Sequence, residues 1–176
     1  MNIIATTLSH LPLSDEQSPI PDFAIKACSN KGRPIENFAL QLRYILRYKS
    51  IGIHHNVDTY IPPGASKEEV RQISIRNPNP NTGEEVSSDY CTQLSLFYNL
   101  KPGNNILVGQ GKNKPLFIAR IASYPYYQPS MPEDSGFTNP AKEWHFHRIM
   151  IDNIKKVPSD FPWKGFLKTI APYTPL

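Results

Sequence analysis

Residues 104–127, NNILVGQGKNKPLFIARIASYPYY, support two incompatible readings, and the choice between them sets the fold. The glycine-lysine turn in the middle resembles a phosphate-cradling loop. A Walker loop, however, has the form G-x-x-x-x-G-K-[ST], with backbone amides around two phosphates, a hydroxyl on magnesium and a helix directly after. Here Gly109, Gly111 and Lys112 are followed by Asn113, and the next apolar run, LFIARI, reads as a strand. Without the hydroxyl or the helix, the phosphate-loop reading fails. Two apolar runs around a short turn rich in glycine and lysine read instead as a β-hairpin. Lys112 and Lys114 then stand at its tip. Lysines there either contact a nucleic-acid backbone without reading sequence or keep the turn soluble.

The flanking segments make the chain α+β. Upstream, PIENFALQLRYILRYKS (34–50) has helical spacing. Pro34 suits a first turn, Glu36 the positive helix end, and Phe38, Leu42, Ile45 and Leu46 form one apolar face. SKEEVRQISI (66–75) opens with Ser66 and Glu69 at capping-box spacing. SDYCTQLSLFYNL (88–100) reads as a short helix or strand, and SPIPDFAIKA (18–27) as one short helix in a leading segment, residues 1–33. Downstream come a long loop from Pro125 to Lys142, a strand in EWHFHRIMIDNI (143–154), and a loop with a short helix in PSDFPWKGFLKTI (158–170). The organisation expected is a single domain, residues 1–176, with a helical and mixed half (34–97) and barrel strands (98–172).

Composition narrows the class. The chain has 176 residues, enough to bury a core, and 18 prolines against nine glycines, which favour rigid loops and short elements. No apolar run approaches membrane-spanning length, and Asp15 and Glu16 follow closely on a start without a basic leader, so a soluble cytoplasmic protein is expected. The two cysteines, Cys28 and Cys91, form neither a framework nor a C-x-x-C pair. Charge is unevenly spread. Residues 1–90 carry nine Lys/Arg and ten Asp/Glu, net −1, whereas residues 91–176 carry ten and five, net +5. Between Asp89 and Glu133 there is no acid, while Lys101, Lys112, Lys114 and Arg120 all lie there. Such a field suits a polyanion or a solvated basic face.

Catalytic and metal signatures are sparse. His54-His55 and His145-x-His147 form two pairs, but neither has a carboxylate or cysteine at ligand spacing, so packing and hydrogen bonding are the expected roles. The chain has no G-x-S-x-G or H-E-x-x-H motif, and only an unplaced Cys91–His dyad or a small metal-dependent hydrolase using Asp58 and the His clusters is left as an enzymatic alternative. Neither a cofactor nor a metal is expected. Aromatics are the stronger signal. Tyr124, Tyr126 and Tyr127 interleave with Pro125, Phe137 lies in the long loop, Trp144 opens the next strand and Tyr60 precedes Pro62-Pro63. Flat rings on loops at one end of a barrel form either core or a slot for a flat ligand.

LKPGNNILVGQGKNKPLFIARIASYPYYQPS, together with EWHFHRIMIDNIKKVP, resembles the hydrophobic-and-turn pattern of EVE domains over roughly residues 98–172. The family's Gly-Asp turn is Gly103-Asn104 here, and its G-I-A is Phe117-Ile118-Ala119. EVE and YTH domains are PUA-like barrels, so the resemblance implies a small mixed β-barrel with flanking helices. Its opening strand has LRYILRYKS (42–50) as the nearest counterpart, in conflict with the helix read there.

The resemblance further implies a reader of modified bases. YTH domains hold N6-methyladenine in an aromatic cage, and EVE-like domains form the DNA-binding part of some McrB-type restriction motors that accept a flipped base. Carried over by position, Trp144 and Phe137 are the first cage candidates, then Tyr124, Tyr126 and Tyr127, with Tyr60 and His54 closing the pocket. Lys112, Lys114, Arg120 and Arg148 are the expected phosphate contacts. The expectation is a non-enzymatic module that binds a methylated base, DNA before RNA. Any motor or nuclease would reside on a fused or associated partner. A PUA-like RNA-binding module is the alternative.

Overall fold

A ten-residue strand, His147–Lys156, is the axis on which the other elements are placed. The computed structural model describes residues 3–13, 20–26, 35–53, 55, 57–78, 83, 85–110, 114–135, 145–158, 160–161 and 169–174. In chain order the elements are α1 (Ile3–Leu8), β1 (Phe23–Lys26), α2 (Ile35–Tyr48), β2 (Ser50–Ile53), α3 (Lys67–Arg76), α4 (Ser88–Tyr98), β3 (Asn105–Gln110), β4 (Lys114–Ile121), β5 (Tyr126–Tyr127), a single 3-10 turn at Glu133–Ser135, β6 (His147–Lys156) and β7 (Ile170–Pro172). The strands form one mixed, curled half-barrel sheet in the order β2-β6-β4-β3-β1-β7, with β5 also paired to β6. The β1–β3 pair is parallel and the others are antiparallel.

Residues 104–127 fold as the hairpin reading requires. Asn105 lies opposite Arg120 and Gln110 opposite Lys114, with one register slip after Val108. Alternation then separates two faces. Ile106 and Val108 point into the main core with Ile25, Ala119, Ile149 and Ile151, while Leu107 points the other way and packs with Ala24, Ile118 and Val157. Phe161 and Tyr173 cover that second, smaller cluster.

A bulge bends β6. Arg120 pairs with Asp152 but Ile118 with Lys155, so β6 has one residue more than β4 in this interval. Asn153 takes up the extra residue with φ 46, a left-handed conformation that asparagine tolerates better than most residues. The bend starts the curl of the sheet around the core.

The helices fill the open side. Phe38, Leu42 and Ile45 of α2 enter the main core and Leu46 packs against it, as the sequence spacing requires. The helix runs to Tyr48, so LRYILRYKS is not an opening strand; the strand begins only at Ser50. Lys49 turns the chain between them with φ 48, and its carbonyl accepts the Ile151 N–H at 2.8 Å. Ser66 and Glu69 form a complete capping box on α3: the Ser66 hydroxyl accepts the Glu69 N–H, and the Glu69 carboxylate accepts the Ser66 N–H at 2.7 Å. Residues 88–98 settle as a helix because Cys91, Leu94, Phe97 and Tyr98 fall on one buried stripe.

One element reverses its expectation. The segment around DFAIKA forms β1, not a helix, because it is paired on both sides, to β3 and to β7. Tertiary pairing outweighs local propensity there. The Asp22 carboxylate accepts the Asn105 N–H at 2.7 Å and fixes the register.

Candidate functional site

The two ends of β6 differ in chemistry, and the N-terminal end is aromatic and histidine-rich. His147, fully buried, sits between two hydrogen bonds: its Nε2 lies 2.6 Å from the Val57 carbonyl oxygen and its Nδ1 2.8 Å from the Tyr98 hydroxyl. A carbonyl only accepts, so Nε2 carries the hydrogen and donates to Val57. On the neutral ring Nδ1 then accepts from the Tyr98 O–H. Burial holds the Tyr98 phenol well above its ordinary range, so it stays protonated as a donor. Val57 is thereby tied to a Tyr98–His147 pair, which joins α4 to β6.

Asp58 and Tyr60 follow Val57 closely, and both are exposed, Tyr60 at 56%. Tyr127, half-buried on β5 opposite His147, approaches the imidazole with ring centroids 5.6 Å apart and meets Phe146 edge-on at 6.1 Å. Burial raises the pKa of the Tyr127 phenol, and the Asp58 carboxylate adds to that rise. The Tyr127 ring thus packs against an imidazole of fixed tautomer, and the exposed Asp58 and Tyr60 follow Val57 in the chain. Such an arrangement offers a flat ligand stacking surfaces and an acceptor for an N–H edge.

The other expected site residues separate. Tyr124 is 58% exposed in the loop between β4 and β5. Tyr126 points to the opposite side of β5, where its hydroxyl meets Met150 Sδ and Ser50 Oγ at 3.4 Å each. Arg120 makes a two-pronged ion pair with Asp152, at 2.8 and 2.9 Å, with both groups substantially exposed. Arg148 departs most from expectation. It is only 2% exposed, and its guanidinium donates to Ser50 Oγ, the Ser50 carbonyl and the His145 carbonyl at 2.8, 3.0 and 3.1 Å. The Tyr44 ring lies 4.9 Å below it. Burial pulls its pKa down from the ordinary value, and the donors tie Ser50 of β2 to His145 just before β6, with the Tyr44 ring of α2 against the guanidinium, rather than face a phosphate. Trp144, Phe137, His54 and Lys112 lie outside the described residues; Lys114 begins β4.

The alternatives based on histidine and cysteine are also placed. His145 and His147 do not share a ligand direction: the His145 Nδ1 bonds the Gly52 carbonyl at 2.9 Å, and His147 serves Val57. Among the described residues, no three His, Cys, Asp or Glu side chains gather as a metal-ligand set. Burial raises the Cys91 thiol pKa, opposite to the shift that activates a nucleophile, and its Sγ lies 3.8 Å from the Val86 carbonyl. Tyr98 and Val57, central to the site, carry no sequence signal of their own. Comparison with known proteins finds no matching family model, curated protein or solved structure.

Proposed function

We propose that this chain is a nucleic-acid-binding module that recognises a modified base, received against Tyr127 and Tyr60 at the N-terminal end of β6. The observation that carries the reading is the Tyr127 ring packed on His147, whose tautomer is fixed by the Tyr98–His147–Val57 chain of hydrogen bonds, with the exposed Tyr60 three residues after Val57. Flipping a base costs a few kcal/mol of unstacking, and stacking on aromatic rings recovers about 1–3 kcal/mol per base. Asp58 beside Tyr127 adds an acceptor that favours a base with an amino or imino donor on its exposed edge. The strongly basic C-terminal half supplies attraction to phosphate, and the small curled α+β sheet is compatible with the PUA-like barrel that the EVE-like pattern implies. On this reading the module is the specificity domain of a modification-dependent restriction system, with cleavage carried by another domain or partner.

The test is competition. Matched duplexes carrying adenine, N6-methyladenine, cytosine or 5-methylcytosine are titrated against the protein, with RNA of the same sequence as competitor at the same salt. One modified duplex is expected to win. RNA outcompeting every duplex would move the assignment to an RNA-binding module.

A further inference from the structure

A long connection joins β5, which carries Tyr127, to β6, which begins at His147, and both of its described ends rest on one face of α2. At its base the Gln128 N–H donates to the Phe146 carbonyl at 2.8 Å, next to the Tyr127–His147 pair. Met131 and Phe146 then pack against Tyr44 of α2. The 3-10 turn at Glu133–Ser135 is fastened one helical turn further along. There the Asp134 carboxylate accepts from the Arg47 guanidinium at 2.9 Å, and the Asp134 carbonyl accepts from the Tyr48 hydroxyl at 3.2 Å.

Helical spacing builds this fastening. Tyr44 and Tyr48 lie four residues apart, so their rings meet on one side of α2 and stack with centroids 4.4 Å apart. The Arg47 guanidinium covers the Tyr48 ring at 5.1 Å, and the buried Arg148 covers the Tyr44 ring at 4.9 Å. Phe146 links the column to the aromatic end of β6: it packs on Tyr44 and meets the Tyr127 ring edge-on at 6.1 Å. A shift of the turn on α2 is therefore passed through Phe146 to the ring that receives the base. We infer that Arg47 and Asp134 are positioning residues for base preference. Neither contacts the base; together they hold residues 128–135 on α2, so that Phe146 keeps Tyr127 in place against His147. This rests on the base-recognition reading and adds to it a specificity determinant outside the site. The pair is exposed, at 65% and 61% of its side chains, so its effect is a modest one, about threefold in a local equilibrium.

The experiment uses the full chain and matched duplexes with and without N6-methyladenine or 5-methylcytosine. Preference is the ratio of two affinities that differ only in a methyl group, so phosphate contacts cancel from it. Arg47→Gln and Asp134→Asn should each lower that ratio about threefold. Their effects on the unmodified duplex should be opposite, because one removes a cation and the other an anion. Arg47→Lys keeps the charge and should keep most of the ratio, and the double variant should lose no more than either single one. In the free protein, exchange of the Gln128 amide should be about threefold faster in both neutralised variants. Should either fail to fold, Tyr48→Phe removes only the second tie to Asp134 and should move ratio and exchange in the same direction. An unchanged ratio in Arg47→Gln and Asp134→Asn, with preference present in the wild type, would overturn the positioning role alone. Arg47→Gln weakening modified and unmodified duplexes equally would make Arg47 a phosphate contact and overturn it too. Unchanged Gln128 exchange would overturn the fastening itself. Faster exchange in the variants, with no preference for any modified base in the wild type, would instead overturn base recognition, and the positioning role with it.

Discussion

The Tyr98–His147 pair makes a quantitative prediction about how the site is held. Tyr98→Phe removes one hydroxyl and leaves the buried acceptor Nδ1 of His147 without its donor. An unsatisfied buried group costs about 1–3 kcal/mol, so the substitution should destabilise the fold by that amount. For a chain of this size that is a melting-temperature drop of roughly 2–12 °C. His147→Leu strands the Tyr98 hydroxyl and the Val57 carbonyl and should cost a similar amount. Combined, the two substitutions should cost less than their sum by about 1–2 kcal/mol, because each alone already breaks the shared bond. Urea unfolding followed by circular dichroism measures all four species of the cycle. Additive costs, or a Tyr98→Phe cost below about 0.5 kcal/mol, would refute the hydrogen-bond chain. Where the variants still fold, base preference should fall, since the tie that holds Val57 is lost.

Gly52→Ala should be costly despite its small size. The added methyl would sit 2.8 Å from both Arg148 Nη1 and His145 Cβ, so one of them must move, at about 1–3 kcal/mol in urea unfolding. Asp152→Asn tests the Arg120 pair. The Arg120 hydrogen bonds hold the Asp152 carboxyl below its ordinary value of 3.8, so its stabilisation is present above that pH and is lost as pH falls through the folded value. Being largely exposed, the pair should contribute little at neutral pH, and the gap between wild type and variant should close in acid below 3.8. Tyr60→Ala removes an exposed ring, so stability should change by less than about 0.5 kcal/mol while modified-base discrimination drops. Equal discrimination by Tyr60→Ala and wild type in an anisotropy titration would take Tyr60 out of the site.

Local signals in the sequence were strong where the physics was local. The spacing of Phe38, Leu42 and Ile45 placed α2, Ser66 and Glu69 marked the start of α3, and the two apolar runs around G-K-N-K placed the β3–β4 hairpin. What escaped depended on partners distant in sequence. Residues 23–26 became a strand because β3 and β7 flank them, which no property of FAIK announces. Arg148 looked like a surface cation, yet its donors are matched by two carbonyls and a hydroxyl on Ser50 and His145, and only the register of β2 against β6 brings Ser50 there. The same holds for Tyr98 and Val57, 49 and 90 residues from His147. The tyrosine cluster was legible as a group but not its division: neighbours on a strand point to opposite faces, so Tyr127 joins the site while Tyr126 turns toward Ser50 and Met150.

The central claim is base recognition at the aromatic end of β6, and the most direct measurement is fluorescence anisotropy at about 100 mM salt, where phosphate contacts register without dominating. It compares duplexes identical except for adenine, N6-methyladenine, cytosine or 5-methylcytosine, with an RNA control. The account predicts at least a tenfold preference, about 1.4 kcal/mol, for one modified duplex, and its loss in Tyr60→Ala. Equal affinity for modified and unmodified duplexes would contradict it.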